Sequence, residues 1–233
     1  MNLRNVTKLM LILLISTAAT GVLTAEKGES SPLKSKRKEA VEWCKIWVDS
    51  ARENDKPRVL LIGDSITCGY YFTAVKYLKG KAYCTQFGTS VCVADPTFYK
   101  QLEAVLCGYK YDVIHFNNGL HEFGYTSNEY QESYEKALKY IKEKSPSAKI
   151  ILVLSTPLKT GSGTAKKYQK NVNERNDVVR YLAKKYGLKI NDLHSISKDH
   201  PEYYRDPYHY KAKAVDLQGK QVAEIIMKSL QEK

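Results

Sequence analysis

The chain has 233 residues, with 37 Lys and Arg against 25 Asp and Glu, and a net charge of +12. Hydrophobic residues at 43% and charged ones at 27% exclude wholesale disorder. The one strongly apolar segment lies at the N-terminus, which excludes a polytopic membrane protein, and five cysteines are too few for a disulfide-stapled scaffold.

Residues 1–25 carry Arg4 and Lys8, then an apolar run from Leu9 to Ile15, then small residues up to Ala25. This is the build of a secretory signal peptide, so the chain is expected to be secreted or periplasmic, with no stable membrane insertion after signal removal. Residues 26–36 (EKGESSPLKSK) read as a flexible leader, and residues 37–233 as one domain. Ala40, Val41, Trp43, Ile46, Trp47 and Val48 fall near helical spacing and predict an amphipathic helix over 37–53. Strands are predicted at 58–62 (RVLLI), 81–87, 111–116, 149–154 (KIILVL) and, weakly, 188–190. Helices are predicted at 70–79, 96–107, 127–144, 166–186 and 212–230, with Pro96 placed for a first turn and Gly187 for a helix end. Strands alternating with helices imply parallel pairing and right-handed crossovers, and put any chemistry at the carboxyl ends of the strands.

The cysteines (44, 68, 84, 92 and 107) are an odd set, so at least one thiol is unpaired or pairs between chains, and the sequence selects no bridge. They form no C-x-x-C pair and no His/Cys cluster with zinc spacing, so no metal is expected. Lysines spread along the predicted helix faces read as a solvated surface, and no nucleic-acid motif accompanies them, so no nucleic-acid partner is expected. The oligomeric state is open.

Gly63-Asp64-Ser65 follows the first predicted strand. Gly63 permits a tight turn, and Ser65 then opens a helix, where free N–H groups and the helix dipole favour negative charge. A serine there can attack a carbonyl while its own N–H helps hold the oxyanion. Asp206-Pro207-Tyr208-His209 precedes the last helix. A serine nucleophile needs a base, the base needs an orienting carboxylate, and Asp and His three residues apart on a turn can supply both. His115, inside a strand, reads as structural. Gly161-Ser162-Gly163 lacks the Lys-Ser/Thr of a phosphate loop.

These blocks together resemble the SGNH (GDSL) hydrolase family over about residues 57–230. The resemblance implies an α/β fold, a flavodoxin-like three-layer α/β/α sandwich with a parallel central sheet, and a serine esterase or lipase that needs no cofactor. By motif, Ser65 is the nucleophile, His209 the base and Asp206 the orienter, with Pro207 standing where the family usually has Gly. The oxyanion donors implied are the Ser65 N–H, a backbone donor from QFGTSVC (Gly88 or Ser90, with the Ser90 N–H favoured), and a side chain from NNGLH. If Gly119 matches the family's Gly, His121 replaces its Asn; otherwise Asn118 serves. NNGLH with NERN (Asn173 to Asn176) looks like the group found in secreted bacterial hydrolases.

Of 18 tyrosines, Tyr70, Tyr71, Tyr125, Tyr203, Tyr204, Tyr208 and Tyr210 fall near the predicted mouth, and Tyr70 and Tyr208 are the substrate-binding candidates. Aromatic faces with hydroxyl edges suit sugar rings. With export and no broad apolar lid, the expected substrate is a small-molecule or glycan ester carrying a short acyl group, acetyl above all. The alternatives are a lipid esterase or thioesterase of the same fold, and a non-catalytic glycan-binding protein that retains it.

Overall fold

The computed structural model describes residues 37–232, so the expected signal peptide (1–25) and leader (26–36) lie outside the described residues. Six strands form one sheet in the order β1-β3-β2-β4-β5-β6. They are β1 (Cys44–Val48), β2 (Arg58–Gly63), β3 (Tyr83–Thr89), β4 (Val113–Phe116), β5 (Lys149–Leu154) and β6 (Lys189–Asp192). The helices are α1 (Ser65–Leu78), α2 (Pro96–Leu106), α3 (Ser127–Lys144), α4 (Gly163–Tyr186), α5 (Leu193–Ser197) and α6 (Ala212–Gln231), with a 3-10 turn at Pro201–Tyr203. Among the described residues, no helix is long and apolar enough to cross a membrane.

Strands β3, β2, β4, β5 and β6 pair in parallel. Their near-continuous apolarity follows from burial on both faces. Alternate residues point to opposite sides of a strand. Leu60, Ile62, Ile114, Phe116, Leu152 and Leu154 therefore meet Phe98 and Leu102 of α2, Tyr134 and Leu138 of α3, and Leu182 of α4. Val59, Leu61, Val113, Ile151 and Val153 meet Tyr71 and Ala74 of α1 and Val222 and Ile226 of α6. Each such aliphatic side chain, fully buried, contributes on the order of 1.5–3 kcal/mol of transfer free energy. The result is a three-layer sandwich with its hydrophobic core in two halves.

The predicted helix over 37–53 is absent. Cys44–Val48 is an edge strand antiparallel to β3, in register Cys44 with Thr89 through Val48 with Thr85. Backbone bonds extend the ladder at both ends, Ser90 N–H to the Trp43 carbonyl at 3.1 Å and Asp49 N–H to the Cys84 carbonyl at 3.0 Å. The spacing that suggested a helix is also compatible with a short strand rich in Ile, Trp and Val. What decides is the open edge of β3, whose unpaired N–H and C=O groups take a partner. The central sheet is parallel as expected, with β1 added antiparallel at its edge. Ile46 and Trp47 remain 43% and 50% exposed at this edge, with Trp47 edge-on to Phe72 of α1.

Helix α1 begins at Ser65, five residues before the predicted start, because Asp64 caps it: its Oδ1 accepts the Ile66 N–H at 2.9 Å. Gly63 is required there, since a Cβ at this position would lie 2.0 Å from Thr67 Oγ1. Gly187 ends α4 with φ 63°, as predicted. The parallel register brings the carboxyl ends of β2 and β4 side by side, with Ile62 opposite Phe116. The β2–α1 turn and the loop after β4 thus open onto the same end of the sheet.

Candidate active site

Ser65, first residue of α1 and half-buried, has its Oγ 2.9 Å from His209 Nε2. His209 Nδ1 lies 2.8 Å and 3.0 Å from the two oxygens of Asp206. A carboxylate at Nδ1 requires a proton on that nitrogen, which leaves Nε2 to accept from the serine hydroxyl. The turn is self-supporting. Asp206 Oδ1 also accepts the backbone N–H groups of Tyr208 at 2.9 Å and His209 at 2.8 Å. The Arg205 N–H donates to the His209 carbonyl at 2.7 Å, and Tyr204 and Tyr210 both donate to the Pro157 carbonyl at 2.9 Å. Burial alone would raise the Asp206 carboxyl, but the two backbone donors and the imidazole outweigh it and hold it down at about 2.

The oxyanion donors expected from sequence divide. The Ser65 N–H belongs to the first turn of α1 and has no intrahelical acceptor. The Ser90 N–H does not serve: it is spent on the Trp43 carbonyl, and Ser90 Oγ accepts the Trp43 N–H at 2.8 Å. Strand β1, unforeseen, uses up that position. Asn118 is also committed, with Oδ1 accepting from Val93 N–H and Nδ2 donating to the Val91 carbonyl, both at 2.9 Å, while the residue is 4% exposed. His121 is the member of the set that shares a cleft with Ser65 and His209. Its Nδ1 meets Glu39 Oε1 at 2.9 Å, and its Nε2 is buried without a partner.

That cleft measures about 660 Å³. Ser65, His209, His121 and Leu120 line it, as do Arg37, Lys38, Glu39 and Trp43 from the segment that leads into β1. Phe123, Tyr168 and Tyr208 add an aromatic wall, with Phe123 and Tyr168 stacked at 4.7 Å. Tyr208 thus stands where the sequence reading put it. Tyr70 does not: it is 1% exposed, bonds Thr67 Oγ1 at 2.9 Å and packs edge-on to His115. Tyr71, Tyr203, Tyr204 and Tyr210 are likewise buried. Helical side chains with apolar neighbours on the sheet turn inward, and a motif-proximity argument cannot see that.

Several contributors went unread in the sequence. Arg175, 3% exposed, donates to the carbonyls of Gly119 at 3.3 Å, His121 at 2.7 Å and Glu122 at 3.0 Å, and lies over the Phe123 and Tyr130 rings. Asn176 brackets Ser155 through both its backbone N–H and carbonyl. These are the Arg and Asn of NERN, and they clamp the loops after β4 and β5. Glu122 adopts φ 49°, a left-handed conformation that favours glycine. Its Oε2 accepts the Cys92 N–H at 2.7 Å. Burial, helped by the charges of Asp95 and Glu42, pushes its carboxyl up to about 7. Glu42, Asp95 and Glu122 form an acidic group close enough to share a cation, and Lys38 Nζ sits 3.0 Å from Glu42 and 2.9 Å from Asp95. His115 is structural, fully buried with Nε2 facing Asn191 Nδ2 at 2.9 Å, and burial lowers it to about 3. The five cysteines are all free.

No protein-family model matches the chain, and no curated protein matches it in sequence. Solved structures do match in shape. A member of the lipolytic G-D-S-L family from Veillonella parvula superposes with TM-score 0.62 at 16% identity, covering 73% of this chain and 98% of that one. A GDSL-like lipase from Bacteroides thetaiotaomicron gives 0.60 at 15%, covering 74% and 88%. A carbohydrate acetylesterase family member from Sinorhizobium meliloti gives 0.60 at 18%, covering 76% and 100%. The fold of this chain is the SGNH (GDSL) hydrolase fold that the motifs implied.

Proposed function

We propose that the chain is a carboxylic ester hydrolase of the SGNH type, acting through Ser65, His209 and Asp206 on short acyl esters. The observation that carries this reading is the unbroken contact from Ser65 Oγ through His209 to the Asp206 carboxylate, open to a cleft. Ser65 Oγ attacks the ester carbonyl carbon as His209 Nε2 takes its proton. Asp206 stabilises the imidazolium that results. Negative charge gathers on the carbonyl oxygen, held by the Ser65 N–H and by His121. His209 then returns the proton to the departing alcohol, leaving an acyl-serine. Water, deprotonated by the same imidazole, releases the acid and restores the serine. Apart from water and the Ser65 N–H, each step uses these side chains.

A cleft walled by Trp43, Phe123, Tyr168 and Tyr208 favours a sugar ring on the alcohol side, since aromatic faces stack on such rings. The likeness to a structure named for carbohydrate acetylesterase supports the same choice. Export directed by residues 1–25 would put the enzyme outside the cytoplasm, which N-terminal sequencing of the mature chain tests.

The experiment for the activity is a p-nitrophenyl ester series from acetyl to palmitoyl, wild type against Ser65→Ala. Turnover strongest on acetyl and lost in the variant is expected. Preference for long chains would favour the lipid-esterase reading. Failure of folded wild type to turn over any ester or react with an organophosphate would favour a binding protein, a reading that draws on the loss of the Ser90 donor.

A further inference from the structure

The segment before β1 supplies more than a wall. Lys38 pairs with Glu42 and Asp95, Trp43 with Ser90, and Glu39 crosses to the loop after β4. There Glu39 Oε1 meets His121 Nδ1 at 2.9 Å and also accepts the Glu122 N–H at 3.2 Å. The opposite ring atom, Nε2, is buried and has no partner. Asp64 Oδ2, on the residue preceding the nucleophile, is also buried and unpartnered. Asp64 is the next charge after Glu39 to raise the ring, and His121 lines the same cleft as Ser65.

Which species the ring adopts decides what it can do. Glu39 demands a proton on Nδ1. A neutral His121 would then carry a lone pair on Nε2 and could donate nothing from that edge to a forming oxyanion. Only the imidazolium presents an N–H at both edges. We propose that Glu39 is a positioning residue that keeps His121 doubly protonated, so that Nε2–H acts as a charged oxyanion donor beside Ser65; this rests on the esterase reading above.

The surrounding charges favour that state on balance. Carboxylates face the ring from three elements: Glu39 from the leading segment, Asp64 from the β2–α1 turn and Glu122 from its own loop. Against them stand Arg175, bonded to the His121 carbonyl, and Arg37, Lys38 and His209, which line the same cleft. Burial pulls the imidazole down, and Glu39 followed by Asp64 overcomes this and raises it above the ordinary value.

The test uses the full chain in two measurements. NMR titration of the imidazoles follows His121 in wild type and Glu39→Gln. The pH profile of kcat/KM on p-nitrophenyl acetate is taken for wild type, Glu39→Gln, His121→Asn and the double variant, with Ser65→Ala as background. The wild-type alkaline limb is expected to coincide with the His121 titration. Glu39→Gln should move both to lower pH by about one unit or more, as loss of a paired opposite charge does. His121→Asn, a neutral donor, should lack the limb, and adding Glu39→Gln to it should change nothing further in the profile. A His121 titration unmoved by Glu39→Gln overturns the inference. So does a shifted titration with the alkaline limb left in place. If wild type turns over no ester, the esterase reading and the donor role fall together, while a shifted titration would still establish the hold of Glu39 on His121.

Discussion

Asp206 grips His209 twice, its carboxylate accepting from the ring at 2.8 Å and its Oδ1 also accepting the backbone N–H of the same residue at 2.8 Å. The carboxylate that sets the tautomer therefore also shapes the turn. Asp206→Asn keeps an oxygen for the backbone donors but no longer demands a proton on Nδ1. We expect the fold to persist and kcat on p-nitrophenyl acetate to fall by roughly 10⁴-fold, the scale seen when a triad carboxylate is neutralised. Circular dichroism melts beside the kinetics separate the two effects. Because the carboxyl is held down at about 2, its contribution to stability is complete above the unfolded value of 3.8 and is lost as the pH falls through about 2. Asp206 thus stays ionised throughout the range in which an imidazole can act as a base.

Ser90 offers the opposite case. Its N–H and Oγ both serve the junction of β1 with β3. Ser90→Ala removes the side-chain acceptor of Trp43 and is expected to lower stability by about 1 kcal/mol. Activity should change far less than the loss of an oxyanion donor would cause, which is about 10²-fold or more in kcat. A large fall in kcat with unchanged stability would return Ser90 to the oxyanion hole.

The contrast between these residues shows what a linear reading can reach. Ser65, Asp206 and His209 were legible because local punctuation marks them: a glycine turn off a strand, an Asp-x-x-His turn before a helix. Both halves are short-range signals, and the parallel sheet brings them together. Strand β1 was not legible, because Ala40 to Val48 satisfies two periodicities and only the vacant edge of β3 chooses between them. Glu39 and His121 are 82 residues apart and Arg175 and His121 54 apart, so no local pattern announces either contact. Tyr70 failed for a further reason. Nearness to a motif in sequence does not say which face of a helix turns to the core, and on α1 that face belongs to Tyr70 and Tyr71.

His115 gives a pH signature unrelated to catalysis. It is neutral in the folded chain and titrates at about 3, against an ordinary 6.5. Between those values the unfolded chain binds the extra proton, so stability falls as the pH drops, by about 1.4 kcal/mol per pH unit from this group. His115→Gln can still accept from Asn191 and cannot charge. Relative to this variant, wild type should lose ground steadily from about pH 6.5 down to 4 in thermal melts. A gap between the two that stays constant from pH 8 to 4 would contradict the argument.

Arg175 joins stability to the site. Its guanidinium is buried, satisfies three carbonyls of the loop that carries His121, and lies 4.9 Å and 4.6 Å from the centroids of the Phe123 and Tyr130 rings. Arg175→Met fills much of the same volume but leaves those carbonyls without a donor. Hydrogen bonds to charged groups are worth about 1.5–3 kcal/mol each, and stranded acceptors add to the loss, so urea unfolding should show a deficit of about 3 kcal/mol or more. Arg175→Lys restores the charge, but a compact ammonium has neither the fork to reach three carbonyls nor a plane to lie over the rings, so it should recover only part of that deficit. The loop also holds Glu122 at φ 49°, a conformation that persists only where its surroundings impose it. Released from Arg175, the loop should relax and carry His121 away from Ser65, lowering kcat under conditions where the variant is still fully folded. Full activity in a folded Arg175→Met would mean that Glu39 alone suffices to hold His121.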